Sequence, residues 1–270
     1  MQLAVDTHVH IYPFYRVEQA LLAILRNLAR QGGQRSKVAC LTERYDCNLY
    51  ATLSDSPGGD ILDKFEIDRD QGCLVVRQKS SGDHFHLLPG QQIITAENIE
   101  LLSLNCAERV PEGQTAVDTV RSVLDCGGVP VVAWAPGKWF FERGRLVRSL
   151  LDHFSPEELA LGDTTLRPIG WPTPNIIKEG RRRGYRILYG SDPLPFTGEE
   201  NRPGSYFSKI DLVTGASADG INPGSVVSQL LTLDLEVSAG GARGSLPEVL
   251  LRLYRNSRAP KPSREITLQG

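Results

Sequence analysis

Short runs of strand-forming residues alternate with amphipathic helical stretches along most of this sequence. That alternation constrains the fold more than any single motif, because it is the pattern of parallel strands joined by crossover helices. Residues 3–7 read as a first strand. Phe14, Val17, Leu21, Ile24, Leu25 and Leu28 then recur at helical spacing up to a stop at Gly32-Gly33, and residues 37–41 read as the second strand. Residues 115–126 form a helical stretch closed by Gly127-Gly128, and the apolar run 129–134 after it suits a strand buried on both faces. A helix over 145–154, a short strand over 159–161 and a helix begun by Thr173 as cap with Pro174 in the first helical position follow. That helix ends at Gly184, residues 186–189 read as the next strand, and Ser245-Leu246-Pro247-Glu248 is a capping box opening a last helix.

One segment departs from the alternation. Between residues 65 and 104 the runs CLVVRQ, HFHLL, QQIIT and IELLSL are separated by the turn signals Gln71-Gly72, Ser81-Gly82 and Pro89-Gly90, with little helix. Antiparallel hairpins inserted at about 63–105 are expected. The 270 residues, 40% hydrophobic, suffice for one α/β barrel, so a single domain over 1–256 with a polar tail at 257–270 is the expected organisation. Residues 54–59 are expected to form a flexible loop.

Thirty Lys and Arg against 32 Asp and Glu leave a net charge of -2, so no global field draws in nucleic acid or an acidic membrane. The start MQLAVDTHVH has no basic stretch before an apolar run, and nowhere do eighteen apolar residues follow one another; a soluble, cytoplasmic protein is expected. Five cysteines without a C-x-x-C pair argue against a disulfide framework and a thiolate zinc site, and are expected to be reduced packing residues.

His8 and His10 flank Val9 at the end of the first strand, where strand alternation sends both imidazoles to one face. Two neutral imidazoles there suit a divalent cation such as Zn, Mn or Fe, with Asp6, of the same parity, orienting one of them; polar residues at a strand end are the plainer alternative. Asp192, in Gly190-Ser191-Asp192, leaves a late strand at the same end, where a carboxylate can bind a metal or serve a turn. Asp163 and Arg167 follow another short strand; they suit proton transfer and recognition of an anion, or a salt bridge within the loop. Trp134, Lys138 and Trp139 in AWAPGKW suit the wall of a pocket, or packing against the hairpins. His84 and His86 read as a solvated strand face, and the Arg181 to Arg183 run as cations favoured in a helix's last turn. Gly-rich phosphate loops and a Gly-x-Ser-x-Gly nucleophile motif are absent from the sequence.

Through VDTHVH, VACLTER, PGQQIITAENIELLSL, GGVPVVAWAPGK and ILYGSD the order of elements resembles the PHP (polymerase and histidinol phosphatase) family, related to amidohydrolases. The resemblance implies a distorted TIM-like (β/α)7 barrel, two or three metals, and hydrolysis of a phosphoester by metal-activated water. His8 and His10 match the family's first two ligands, and Asp192 a late one. The departures are Thr42-Glu43-Arg44 for Thr-Asp-His, Gly90-Gln91-Gln92 for Gly-x-Glu, Ala133-Trp134-Ala135-Pro136 for Ala-His-Pro, and Asp192-Pro193-Leu194 for Asp-x-His. What survives suits one divalent ion, or none, on His8, His10 and Asp192. In this reading Asp163 or Glu43 transfers protons, while Arg167, Lys138, Arg44 and Trp134 contact a small anionic substrate. Arg44 brings positive charge into the space of a second cation. A catalytically silent barrel that binds a small anion or a protein partner is the competing expectation.

Overall fold

The computed structural model describes residues 2–30, 36–55, 62–212 and 222–259. Eleven strands among them form one sheet, and seven of these make a nearly closed wall: β1 (Gln2–Val9), β2 (Ser36–Glu43), β5 (His84–Ile94), β6 (Glu100–Leu104), β7 (Val129–Ala133), β8 (Ala160–Thr164) and β9 (Ile187–Gly190). β1, β2 and β5 run parallel, as do β7, β8 and β9; β6 alone in the wall is antiparallel to its neighbours. The result is a distorted TIM-like α/β barrel, as expected.

Leu3 and Val5 from β1, Val38 and Cys40 from β2, Leu88 from β5, Val131 from β7 and Leu188 from β9 meet in one apolar cluster that fills the barrel. Val226 and Val227 of α6 (Pro223–Ser228), with Leu230 just beyond it, join the cluster and cap one end. Outside the wall, α1 (Val17–Ala29) packs Leu21 and Ile24 beside Ala4 and Ala39. α3 (Ala116–Asp125), α4 (Phe141–His153) and α5 (Asn175–Arg182) cover the far side through Val120, Val147, Leu150 and Ile177. Between β9 and β1 the barrel is closed by single hydrogen bonds rather than by a ladder. Asp192 N–H donates to the His8 carbonyl at 2.9 Å, Thr7 Oγ1 donates to the Tyr189 carbonyl at 3.0 Å, and Tyr189 N–H donates to Ser208 Oγ at 2.8 Å. Ser208 belongs to β10 (Tyr206–Leu212), which lies antiparallel to β1 and pairs in turn with β11 (Leu235–Gly241).

Several local expectations are corrected. The 63–105 segment divides: β3 (Phe65–Asp70) and β4 (Cys73–Gln78) form a hairpin beside β5, whereas β5 and β6 are part of the barrel wall. Pro89-Gly90 is no turn but lies inside β5, where a Cβ on Gly90 would stand 2.6 Å from the Ser103 carbonyl oxygen, so the strands approach there because the residue is glycine. Gln71-Gly72 does turn, with both residues at positive φ. Phe14 precedes α1 rather than joining it, and α5 starts at Asn175 with Pro174 as its cap and no side-chain capping bond. Cys106 and Cys126 are joined as a disulfide with Cα atoms 6.3 Å apart, while Cys40, Cys47 and Cys73 are free and buried. The stop at Gly32-Gly33, residues 56–59 of the expected loop and residues 260–270 of the expected tail lie outside the described residues. Residues 257 and 258 extend α7 (Leu246–Arg258), whose Ser245–Glu248 capping box forms as expected. Among the described residues no helix is long and apolar enough to cross a membrane.

Candidate metal centre

The C-terminal ends of β1, β2, β5, β7, β8 and β9 share the end of the barrel opposite α6, the end at which such barrels carry their chemistry. There, strict alternation does not hold along β1. Its register against β2 shifts between Asp6 and Val9, where β1 carries one residue more than its partner. Before this bulge, Leu3 and Val5 point into the barrel and Ala4 points out; after it Val9 packs with the outer layer, which leaves His8 and His10 facing the interior. The bulge thereby puts Asp6 and the imidazoles on opposite faces.

Asp6 consequently touches neither ring, contrary to the orienting role expected from parity. Its Oδ1 accepts the N–H groups of His8 (3.1 Å) and Ser191 (2.9 Å), and its Oδ2 accepts Ser191 Oγ–H (2.5 Å) and Gly204 N–H (2.7 Å). Burial pushes this carboxyl up to about 6 against the pull of those four donors. Asp6 fastens β1 to the segment after β9, and so fixes the spacing of His8 from Asp192.

Four acceptor-type atoms meet on the inner side of that seam. His8 Nε2 and His10 Nε2 are 3.0 Å apart, each is 3.0 Å from Gln92 Oε1, and they lie 3.6 and 3.8 Å from Asp192 Oδ1. Among the described residues His8, His10 and Asp192 are the group of His, Cys, Asp and Glu able to share a metal ion, their ligand atoms all within 4.8 Å of one another. Tetrahedral coordination at about 2.0–2.1 Å separates ligand atoms by about 3.3–3.4 Å, so separations of this order suit one small cation. Gln92, read in the sequence as a lost ligand, brings a neutral oxygen to the same point.

Burial, then the charges of His8 and Arg44, hold the His10 imidazole well below its usual range, while the Thr42 backbone hydrogen-bonds to it. Burial thus favours the neutral ring, which in the tautomer protonated at Nδ1 offers an Nε2 lone pair to the cluster. His8 Nδ1 is buried without a partner. Burial also raises the Asp192 carboxyl, opposed chiefly by His8.

The backbone under Asp192 is over-determined. A Cβ on Gly190 would lie 2.3 Å from His8 Cβ, Thr165 Oγ1–H donates to the Ser191 carbonyl at 2.5 Å, and Asp192 itself sits at φ 47°. Arg252, buried on α7, donates to the Asp192 carbonyl (3.2 Å), to Thr165 Oγ1 (2.8 Å) and to the Glu199 carboxylate (2.6 Å). Sequence reasoning missed Arg252 and Glu199. Apolar spacing did not point to them: Arg252 stands three residues after Val249, and these two are the buried side chains of α7, whereas Leu250, Leu251 and Tyr254 are exposed.

The other expected site residues are engaged elsewhere. Asp163 and Arg167 form a buried bidentate pair at 2.8 and 2.5 Å, Tyr206 O–H donates to Asp163 Oδ2 at 3.3 Å, and Arg167 also donates to the Trp171 carbonyl; the loop salt bridge is the observed arrangement. Glu43 accepts from Tyr50 N–H at 3.2 Å and from Arg109 at 3.4 Å, and burial raises its carboxyl. Lys138 pairs with Glu100. Trp134 packs in the outer core with Trp139, whose indole N–H donates to the Ala133 carbonyl. Arg44 pairs with Asp46 at 3.3 Å and lies 5.7 Å from the Tyr12 ring centre, at the barrel mouth. His84 and His86 lie on β5 away from this cluster, with His84 beside Arg77.

No protein family matches the sequence, and no curated protein matches it. Solved structures share the fold, two of them as follows. PsfC from Pseudomonas syringae PB-5123 superposes with a TM-score of 0.59 at 17% identity, over 96% of this chain and 99% of that one. The lesion-specific endonuclease PfuEndoQ from Pyrococcus furiosus superposes with a TM-score of 0.50 at 13% identity over 89% of this chain, which spans 59% of the endonuclease's length. At these identities the likeness is one of fold.

Proposed function

We propose that this chain is a hydrolase of the PHP type that holds one divalent cation and cleaves a small phosphoester. The observation that carries this reading is the meeting of His8 Nε2, His10 Nε2, Gln92 Oε1 and Asp192 Oδ1 at one point of the barrel mouth. A single imidazole N–H can satisfy only part of such a cluster; a cation satisfies all of it. Two nitrogens and two oxygens suit Zn, Mn or Fe, and the cation would supply Lewis-acid activation of water and of a phosphoryl oxygen.

The chain's own residues set the rest. Asp6, Arg252 and Thr165 hold Asp192 opposite the imidazoles, so the donors are positioned before any ligand arrives. Arg44 supplies positive charge at the mouth, where it steadies an anionic substrate and opposes entry of a second cation beside His10. Proton transfer falls to Glu43, with its raised carboxyl, because Arg167 and Tyr206 occupy Asp163. PsfC and the endonuclease support the barrel on which this chemistry would sit.

The pairing of Asp163 with Arg167, and of Glu43 with Arg109, favours a second reading, in which the barrel binds a small anion without turning it over. A panel of phosphate monoesters and diesters assayed with Zn, Mn and Fe decides between them. Cation-dependent turnover lost in Asp192→Asn, with the circular dichroism spectrum unchanged, supports the hydrolase; saturable binding without turnover under every cation leaves the silent barrel.

A further inference from the structure

A cavity of about 730 Å³ opens beside the metal donors, and its lining has a chemistry the donors themselves do not explain. Tyr12 is the shared wall: its ring centre lies 5.5 Å from that of His10 on one side, and the residue lines the cavity on the other. Phe14 stacks parallel to Tyr12, with an interplanar angle of 4° and centres 5.6 Å apart, so the β1–α1 loop presents two aligned aromatic faces. Phe196, just beyond Asp192, and Tyr254 of α7 add aromatic surface from two other parts of the chain. Phe14 and Tyr254 are 54% and 58% exposed, a large apolar area to leave open to water unless something covers it. Arg44 and Arg258 bring guanidinium groups to the same cavity, Arg44 paired with Asp46 in its lining and Arg258 5.4 Å from the Tyr254 ring centre.

We infer that this cavity is the pocket that selects the substrate, and that it takes an aromatic or heteroaromatic ring carrying an anionic phosphoester, the ring lying among Tyr12, Phe14 and Tyr254. This inference rests on the hydrolase reading for the fate of the phosphoester, and on the cavity alone for the ring. Aromatic faces recognise a flat ring by stacking whatever its hydrogen-bonding edge, and guanidinium groups add both stacking and charge. Charge then orders the ligand: Arg44, which lines the cavity 5.7 Å from the Tyr12 ring centre, draws the phosphoryl group toward the Tyr12 wall beside the donors, while the ring stays on the Phe14 and Tyr254 side. A volume of this size holds one small molecule rather than a polymer.

Calorimetric titration of the full chain with phenylphosphonate and methylphosphonate tests the ring without hydrolysis, since both carry a stable C–P bond. Phenylphosphonate is expected to bind about tenfold tighter. Phe14→Ala and Tyr254→Ala, both at exposed positions, should each reduce that preference by about three-fold or more while leaving methylphosphonate affinity unchanged. Equal affinities for the two probes, or a preference untouched in both variants, would overturn the inference. Turnover separates it from the reading on which it rests. A ring preference without cation-dependent cleavage of phenyl phosphate keeps the pocket and removes the hydrolase; equal cleavage of phenyl and methyl phosphate keeps the hydrolase and removes the pocket.

Discussion

The β1–β9 seam and the exit of β8 lie at the same end of the barrel, and each places a buried aspartate one or two residues from the end of a strand, yet they handle charge in opposite ways. Asp163 at the β8 exit meets a guanidinium that takes both of its oxygens, with Tyr206 adding a third donor. Asp192 at the seam meets two imidazole nitrogens and lies in the cluster completed by an amide oxygen. One corner carries its own counter-ion. The other collects lone pairs, and the arginine behind it, Arg252, reaches Asp192 only at its backbone carbonyl while its charge is paired with Glu199. A buried carboxylate without a cation is costly, and the chain answers that cost with Arg167 in one place and with an arrangement suited to an external cation in the other.

The largest way to break the contrast is to remove one partner of the closed pair. Asp163→Ala leaves Arg167 buried and uncompensated, and should lower unfolding free energy by about 3–5 kcal/mol in urea titrations while cation binding at the seam persists. A loss of cation binding in a folded Asp163→Ala protein would mean that the two corners are one site.

Gly190→Ala attacks the seam instead. The added methyl falls on His8 Cβ, so stability should fall by about 1–3 kcal/mol and cation affinity with it, whereas the Asp163–Arg167 pair keeps its contribution. Unfolding curves with and without Zn read both effects.

How much of this was legible in the sequence depends on whether the cause was local. Apolar runs, the Ser245 cap and His8-x-His10 are local signals, and the strands, α7 and the imidazole pair follow from them. The β1 bulge is not local: whether Asp6 joins His8 or faces away is decided by pairing with β2, which parity along one strand cannot reveal. Pro89-Gly90 misleads for a related reason, since a close approach to β6 and a turn both call for glycine. Gln92 counts as a lost ligand by residue type, although its amide oxygen reaches the place a carboxylate would. Arg252 and Glu199 form their pair across 53 residues, and β10 and β11 close against β1 from far along the chain, so nothing near them in sequence announces either arrangement.

Gln92→Glu sharpens the contrast from the other side. A second carboxylate beside Asp192 should destabilise the cation-free chain by about 1–2 kcal/mol and raise cation affinity about tenfold, read as a larger thermal shift on adding Zn. An unchanged shift would remove Gln92 from the ligand set.

The smallest effect is a pH dependence. The His10 imidazole is held below its ordinary value of 6.5 in the folded chain, so below that pH the unfolded chain takes up a proton that the folded one refuses. Stability should therefore fall as pH drops from 7 to 5.5, by about 1 kcal/mol more in the parent chain than in His10→Gln. A difference of the opposite sign would place a protonated His10 in the folded cluster.

The most direct measurement of the central claim is the metal content of protein purified without chelator and equilibrated with Zn or Mn, read by elemental analysis. One equivalent per chain, lost in His10→Ala and in Asp192→Asn but kept in Asp163→Ala, is the predicted result. A content near zero, or one equivalent that survives both seam substitutions, would contradict it.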